Sequence, residues 1–577
     1  MALENTWVTY LHRSYKSIKA SILTRMQTEV PEITDHSESN IFVIIINAFA
    51  GLVEQLNYYV DSVARESFVT TARKYSSLVK LTRLIDYRIK AKIGSVVDLK
   101  ITAVDTSGDP VPLQANETIS EGYIVKNAAG VEFITQSSIT IFLGASYAVV
   151  GARQRVEVID ENLGMTSSSP DQSFELPDDY QDGTLQIEIN SITWELRDTF
   201  TFSGPQDTHF IVEVDQNKQA WVVFGDNVHG AIPPSGQTVY GTFYICEGVA
   251  GNVEANTLII WDSAPTPPVQ TPTIDHYDIT NELPAVGGLD EEGLEDIRKH
   301  AALSLRTLNR AVTLQDHKDM CLLVPGVGKA AVEFKANLKK IIFYVAPNEG
   351  GTAPSQLLLD VKDYFADKKM ISTSVEAYAA GETKLRLGIT ATVKFRRNTS
   401  QAESDIKAAL QNEFGFNNSD INRSVRRSDI IALIDNLDKI DYLKLDLVSS
   451  KPYPRIFNGS NPLEDNWYVE ITSSSVQIAS WRLVVISSTI ARVYRTGPSG
   501  VESFDGQITI HVTDPGDTDY TSNDGSLKIG MWGSFSVADE WRFITYPYNQ
   551  DMEFEDYTIP VYDVDELTLV VNEQIGV

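Results

Sequence analysis

The sequence IFVIIINAFAGLVEQLNYYVDSV, residues 41–63, decides the architecture because its apolar side chains recur at alternating three- and four-residue steps. Such steps place them on one face of an α-helix, in the pattern of a coiled-coil seam of about three heptads. The predicted seam consists of Phe42, Ile45, Phe49, Leu52, Leu56, Tyr59 and Val63. Ile44, Ile46, Val53 and Val60 widen the apolar face beyond what one partner helix covers. We therefore predict packing against several helices, either in a local bundle of this chain or in a bundle shared among chains.

A second amphipathic helix is predicted before the seam. Its apolar residues are Trp7, Leu11, Tyr15, Ile18 and Ile22. Pro31 marks its end, and Asp35 followed by Glu38 resembles a capping box that would open the seam helix. The apolar run 41–53 is shorter than the ~20 residues that cross a bilayer, so we expect no membrane insertion.

The composition is that of an acidic globular protein. The 577 residues include 48 Lys and Arg against 78 Asp and Glu, a formal charge of −30. This charge disfavours nucleic-acid binding, which depends on basic side chains. Only Cys246 and Cys321 are present, so a disulfide framework and a multi-thiolate metal cluster are not expected. The first residues lack the features of a secretory signal.

Charge is unevenly distributed along the chain. Eight basic residues lie between Arg65 and Lys92, accompanied only by Glu66 and Asp86. A solvated helix face accounts for this pattern, and the alternative is a docking surface for an acidic neighbour, which the rest of this chain could supply. Residues 451–577, by contrast, hold 7 basic and 19 acidic residues, a net charge of −12.

The remaining pattern predicts a multidomain α+β fold. We expect a helical segment (1–92), a β-rich domain (93–263), a Pro-rich connector (264–286), an α+β domain (287–449) and an all-β module appended at the end (450–577). The prolines of 264–273 predict an extended stretch that acts as a hinge.

Within residues 287–449 the sequence predicts specific elements. Asp290 and the pair Thr313 and Asp316 are expected to open helices. Further helices are predicted at 354–368, from Ser400, and at 428–436, with strands at 330–334, 341–345, 374–378, 384–395 and 442–448.

The sequence contains no His-Glu-x-x-His, Gly-x-Ser-x-Gly or Gly-x-Gly-x-x-Gly motif of catalysis, metal binding or dinucleotide binding. The segment PGVGKA, 325–330, resembles a phosphate-binding loop but lacks its first glycine and its final hydroxyl, and is better explained as a helix-to-strand turn. Acidic turns at 514–519 and 523–525 lack the order of an EF-hand. We predict no catalytic residue, no metal and no cofactor.

Two stretches resemble the baseplate J-like family, whose members build the wedges of contractile phage tails. The more specific is FGDNVHGAIPPSG, 224–236, followed by GVAGNV, 248–253. The residues that match the family's turns are Phe224, Gly225, Asp226, Gly230, Pro233, Pro234, Gly236, Gly251 and Asn252. Asn227 stands where the family usually has glycine, a mild departure because asparagine tolerates positive φ. Similarity continues at 287–298, 310–316 and 337–347, and at the amino end between 48 and 87.

The resemblance implies a structural, non-enzymatic wedge subunit of a tail baseplate in the virion, assembled in the host cytoplasm. Its implied partners are copies of itself and a second wedge protein in a ring around the hub, together with sheath-initiating, hub and tail-fibre proteins. The seam would join an inter-chain bundle, residues 287–449 would make ring contacts, and the subunit would relay fibre or receptor contact to sheath contraction. Two alternatives remain: a carbohydrate-binding adhesin or depolymerase, suggested by the aromatic tail, and a wedge subunit of a phage-like injection device.

Overall fold

The structure, a computed structural model, begins with three helices that precede the sheets. It describes residues 14–573 apart from 33–34, 86, 308–309, 349, 395–396, 451–454, 459–466, 473–476, 498–499, 512–519, 534, 536, 538, 547–548 and 555–556. The helices are α1 (Tyr15–Glu29), α2 (Ile41–Arg65) and α3 (Tyr75–Arg83). Helix α1 ends before Pro31, as predicted, whereas Trp7 and Leu11 lie outside the described residues.

The predicted capping box of the seam helix is wrong. The N-cap of α2 is Asn40, whose side-chain oxygen accepts a hydrogen bond from the Phe42 amide at 2.9 Å. Asp35 instead accepts from the Ser37 amide and from the Asn40 side chain. Both residue types can cap a helix, and Asn40 prevails because it adjoins the first helical turn.

A β-rich region follows the helices. Its strands are β1 (Val96–Val104), β2 (Glu117–Ile119), β3 (Ile124–Lys126), β4 (Glu132–Thr135), β5 (Ile139–Ile141), β6 (Tyr147–Gln154), β7 (Val156–Met165), β8 (Ser173–Glu175), β9 (Gln186–Ile189), β10 (Ile192–Leu196), β11 (His209–Val214), β12 (Ala220–Phe224), β13 (Thr238–Ile245), β14 (Ile260–Trp261) and β15 (His276–Thr280). Six of them form one sheet in the order β14-β3-β4-β6-β1-β15, and seven form another in the order β7-β13-β9-β10-β11-β12-β8. The β-rich character predicted for this region is confirmed.

The Pro-rich connector was predicted to be a hinge between two lobes, and the structure shows a different arrangement. Residues 264–273 are neither helical nor paired in a ladder, as the prolines require. However, β14 before them pairs with β3, and β15 after them pairs with β1 of the same six-stranded sheet. The connector therefore leaves one sheet and returns to it, so it cannot be the joint between two lobes.

The α+β region contains most of the predicted elements within a few residues. They are α4 (Leu294–Thr307), α5 (Leu314–Cys321), β16 (Val327–Lys335), β17 (Lys340–Pro347), α6 (Ser355–Tyr364), β18 (Ser374–Ala379), β19 (Gly381–Val393), α7 (Thr399–Phe414), α8 (Arg427–Asp435) and β20 (Ile440–Ser450). The capping box of Thr313 and Asp316 is confirmed. Asp290 does not cap α4; its side chain accepts a hydrogen bond from the Val249 amide at 3.2 Å. The cap of α7 is Asn398 rather than Ser400.

The C-terminal β-rich part is inserted into the α+β region rather than appended to it. Its strands are β21 (Arg455–Asn458), β22 (Trp467–Ile471), β23 (Ala479–Ser487), β24 (Ile490–Thr496), β25 (Glu502–Thr509), β26 (Tyr520–Thr521), β27 (Leu527–Met531), β28 (Glu540–Thr545) and β29 (Thr558–Glu573). Strands β21 to β28 form two sheets of their own. The last strand, β29, returns and pairs parallel with β19, from Gly381 opposite Thr558 to Val393 opposite Glu573. The predicted boundary at residue 450 thus separates strands of one sheet.

The sheets and helices enclose several separate apolar cores. One core joins α3, the seven-stranded sheet and α4, with Leu78, Phe224 and Ile297 fully buried. A second lies beneath α7 and α8 on the β20-β19-β29 sheet, and a third fills the inserted part around Trp481 and Trp541. The fold is therefore multidomain and α+β, as predicted from the sequence.

Candidate assembly interface on the second helix

The seam residues face solvent in this chain. All seven are between 47% and 69% exposed, with Leu52 at 57% and Val63 at 69%. Ile44 and Val60 beside them are also more than half exposed. Isolated exposed apolar residues are common on protein surfaces, but a contiguous apolar face of this length marks an interaction site. Helix α2 therefore presents an apolar face that the described part of the chain leaves uncovered.

The opposite face of α2 is the one that packs within the chain. Val43, Ile46 and Ala50 are buried there, together with Ile18 of α1. Polar contacts hold the first turns of α1: the Tyr15 amide donates to Glu54 Oε1 at 2.9 Å, and Lys19 Nζ lies 2.5 Å from Glu38 Oε1. Helix α1 thus packs on the face of α2 opposite the seam and leaves the seam residues exposed. Among the described residues, the seam is not part of a local bundle.

Helix α2 is also longer than the apolar run suggested. It has 25 residues and is long and apolar enough, by length and composition only, to cross a membrane. The run 41–53 alone therefore underestimates the length of the apolar helix. Glu54 and Asp61 lie within the helix and Arg65 ends it, so charged side chains interrupt its apolar surface in the second half.

The basic segment that follows α2 binds acidic residues of the same chain. Arg83 pairs with Glu213 at 2.7 Å, Arg88 pairs with Asp182, and Lys92 lies 3.7 Å from Glu291. Residues 87–91 are not helical, so a solvated helix face does not describe this part. The alternative, docking onto the acidic remainder of the chain, is the one that these contacts support.

A buried carboxylate completes this attachment. Glu292 is 8% exposed and accepts hydrogen bonds from the Tyr87 hydroxyl at 2.7 Å and from the Lys90 amide at 3.2 Å, while His300 Nδ1 lies 2.7 Å away. Burial alone would raise the pKa of Glu292, but the contact with His300, the charge of Lys90 and the bond from Tyr87 together lower it. Local sequence patterns could not predict this cluster, because Tyr87 and Glu292 are 205 residues apart.

The first family-motif turn is a structural corner of the seven-stranded sheet. Phe224 is fully buried, and a Cβ on Gly225 would stand 2.3 Å from the Gly230 carbonyl oxygen, so only glycine fits there. Asp226 accepts hydrogen bonds from the His229 and Val228 amides, which lower its pKa. Asn227 has a φ of 68°, the conformation for which asparagine substitutes for glycine. These side chains hold the turn.

The other motif turns join neighbouring parts of the chain. Thr166 Oγ1 donates to the Pro234 carbonyl, the Ser168 hydroxyl lies 3.4 Å from the Pro233 carbonyl, and the Gly236 amide donates to the Thr166 carbonyl. Ser95 Oγ donates to the Gly251 carbonyl at 2.5 Å.

Asn252 connects the motif to the start of the α+β region. Its side chain accepts from the Gly288 amide at 2.8 Å and donates to the Gly288 carbonyl at 3.2 Å. The motif residues are thus distributed over several joints of the fold and are not brought together in one pocket.

The other candidates for chemistry have structural roles. Lys329 belongs to the segment 325–330 that resembles a phosphate-binding loop. Its side chain donates to the carbonyls of Phe416 and Ser419, and so holds a turn. Asp524 accepts from Ser522 and Ser526 and pairs with Arg495, while 514–519 lie outside the described residues. No group of three His, Cys, Asp or Glu side chains placed to hold a metal ion occurs in the described part of the chain. Burial raises the pKa of the Cys246 thiol to about 11.

Comparison with known proteins finds a family similarity in the amino-terminal region. Residues 14–84 match the family "Bacteriophage baseplate protein, N-terminal domain", a span that contains the whole of α2. A comparison with curated proteins finds no match. Among solved structures, the chain is similar to one in the cryo-EM structure of the anti-feeding prophage (AFP) baseplate, 6-fold symmetrised, with 12% identity over 75% of this chain and 86% of that one. The TM-score is 0.27, so this alignment carries no argument. The family match supports a structural role for this chain in a bacteriophage tail baseplate.

Proposed function

We propose that this protein is a wedge subunit of a contractile-tail baseplate, and that α2 joins a helical bundle shared with other chains. The observation that carries the proposal is the exposed seam: seven apolar side chains on one face of α2, each about half exposed or more. Leaving such a face in water is costly, and packing it against neighbouring helices removes that cost. The match of residues 14–84 to baseplate N-terminal domains supports the same role.

The breadth of the exposed face favours a bundle of at least three helices. The seam residues occupy one side of α2, and Ile44, Val53 and Val60 extend the apolar surface on both flanks. A two-helix coiled coil buries only a narrow stripe, so these flanking residues would stay in water in a dimer. Copies of this chain and a second wedge protein are the partners that we propose for it.

The relay of fibre or receptor contact to sheath contraction is proposed as motion of whole lobes. The connector 264–286 is excluded as the joint, because it starts and ends on one sheet. The amino-terminal helices are instead tied to the sheets by the pairs of Arg83 and Arg88 and by buried Glu292. A displacement of the bundle would therefore be passed on to the sheets as rigid-body movement.

The aromatic tail gives less support to an adhesin or depolymerase. Trp481 and Trp541 are at most 1% exposed and fill the core of the inserted part, so their rings are not available to stack on a sugar. The Trp467 side chain lies outside the described residues.

The test is co-assembly of the full chain with its neighbouring gene products. We expect co-expression to give a complex that contains several copies of this chain, and we expect a charged substitution in the seam to abolish it. If the purified chain remains monomeric beside those partners at high concentration, the proposed role is refuted.

A further inference from the structure

The last strand, β29, forms an outer edge of its sheet. The sheet has the order β20-β19-β29, so β29 pairs with β19 on one side. The start of its other side is covered, since the Asn422 amide donates to the Thr558 carbonyl at 2.9 Å and the Ser419 hydroxyl donates to the Pro560 carbonyl. Among the described residues, no strand pairs with that other side. The outward backbone groups of residues 567–573 can therefore accept a further strand.

This edge has a protected part and an unprotected part. Bulges and charged side chains are the usual means by which sheets keep other strands from their edges. Residues 563–566 bulge out opposite Arg386 and carry three acids, Asp563, Asp565 and Glu566. Residues 567–572, LTLVVN, then run in regular register with β19 and contain no charge, proline or glycine. This second part lacks the usual protection.

The apolar core beneath α7 is incomplete at the same edge. Ile406 and Leu410 of α7 are fully buried in that core. Leu567, Leu569 and Val571 of β29 pack against it but are only partly buried. Alternate side chains of a strand share a face, so these three lie in a row at the rim of the core. An added strand with apolar side chains on this face would complete their burial.

The opposite face of the edge favours polar side chains. Thr568, Val570 and Asn572 of β29 are exposed there, with Val570 at 47%. A strand added to this edge would therefore be apolar toward α7 and polar on the solvent side, with the two kinds of residue in alternation.

The charges at the two ends of LTLVVN disfavour a second copy of β29 as the added strand. Asp565 and Glu566 precede the stretch and Glu573 follows it. Antiparallel pairing of two such stretches would place Glu573 opposite Glu566 or one residue away from it. Parallel pairing in register would place each acid beside its own copy. Like charges in these positions destabilise a strand pair, whereas a strand with a basic residue at each end is complementary.

We propose that β29 is a docking site for an extended strand of a different protein, in which apolar and polar residues alternate between basic ends. Main-chain hydrogen bonds to residues 567–573 supply the affinity, and the alternating side chains and terminal charges supply the specificity. This site is separate from the seam of α2. The inference goes beyond the proposed bundle and does not depend on it.

The experiment measures peptide binding to the full chain by fluorescence anisotropy. Leu52→Glu is introduced throughout, so that the seam does not contribute. The probe is the fluorescein-labelled peptide Lys-Val-Thr-Val-Thr-Val-Lys, which reads the same in both directions and so tests parallel and antiparallel pairing together. The control peptide has the same sequence with N-methyl groups on both outer valines and both threonines. It keeps the side chains and the charge but cannot donate the hydrogen bonds of a strand pair.

A pair of variants tests the terminal charges. The test variant is Asp565→Asn with Glu573→Gln, which removes one acid at each end of LTLVVN. The matched control is Asp441→Asn with Glu553→Gln, which changes the net charge equally at exposed residues outside β29.

We expect the probe to bind saturably and the N-methylated peptide to bind at least about tenfold more weakly. The test variant should bind the probe at least about fourfold more weakly than the parent, and the matched control less than about twofold. Hydrogen–deuterium exchange should show added protection on probe binding at the amides of 567–573.

Absence of saturable binding, equal binding of the two peptides, equal affinity of the two variants, or added protection confined to another part of the chain would each overturn the proposal. Because Leu52→Glu disables the seam in every sample, these results refute this inference alone. Failure of the unsubstituted chain to co-assemble with its neighbouring gene products would refute the proposed function and leave this inference standing.

Discussion

Substitution of Leu52 by glutamate distinguishes an intermolecular seam from an internal core. Leu52 is 57% exposed, so its side chain contributes little to the stability of the isolated chain. We therefore expect the free energy of unfolding of that chain to change by less than about 0.5 kcal/mol. In a bundle the same side chain is buried. Complete burial of a leucine stabilises by about 1.5–3 kcal/mol, so roughly half of that, or somewhat more, is lost for each copy.

The charge adds a larger penalty than the lost burial. A carboxylate placed in a bundle without a partner must be desolvated or protonated, at a cost of several kcal/mol. A total of roughly 4 kcal/mol corresponds to about a thousandfold weaker association, since about 1.4 kcal/mol is a factor of ten. Co-assembly at micromolar concentrations should therefore be abolished.

The assay is size-exclusion chromatography with light scattering of the chain co-expressed with its neighbouring gene products. Gln55→Glu is the matched control, because Gln55 is an exposed polar residue of the same helix outside the predicted seam. Normal assembly of Leu52→Glu would refute the seam as an interface. A loss of more than about 2 kcal/mol in the isolated chain would show that the chain itself covers the seam.

Two further substitutions and a pair of deletions test the fold. Glu292→Ala should destabilise the chain in urea by about 2–4 kcal/mol, because its hydrogen-bond donors lose their acceptor in a buried site. The fold lowers the pKa of Glu292, so this contribution is present above its ordinary value near 4.5 and is lost as pH falls through the lower folded value; a difference between variant and parent that grows toward pH 3 would contradict it. Gly225→Ala should lower stability by about 2–3 kcal/mol through overlap with the Gly230 carbonyl, and an unchanged melting temperature would exclude that overlap. Replacing 455–545 with a flexible linker should leave a folded chain by circular dichroism, whereas truncation after Ser450 should not, because it removes β29; equal behaviour would show that the insertion is not independent.

The sequence predicted what depends on local pattern. The strands at 330–334 and 341–345 and the capping box of Thr313 and Asp316 follow from alternation and from side chains a few residues apart. The positive φ of Asn227 was likewise expected from residue type. The sequence does not decide between a seam packed within this chain and a seam shared among chains, because the same spacing suits both kinds of bundle.

Long-range pairings could not be predicted in this way. Strand β29 joins β19 across more than 150 residues, and nothing in its own alternation indicates that partner. The prolines of 264–273 predicted an extended stretch but not that both of its ends return to one sheet. The contacts of Glu292 with Tyr87 and His300 join distant segments, and each of these residues is unremarkable in its local sequence.

These long-range contacts decide how the amino-terminal helices act on the rest of the chain. Helix α2 is followed by Glu66, which accepts hydrogen bonds from the Arg73 and Lys74 amides, and α3 then packs into the core of the seven-stranded sheet. The first sheet is fixed in turn to the α+β region, where Asp98 accepts from the amide and the hydroxyl of Ser355. A bundle that holds α2 thus holds both sheets through buried or paired polar groups. Because deforming packed cores costs more than moving them as bodies, a force on the seam would reorient the lobes together.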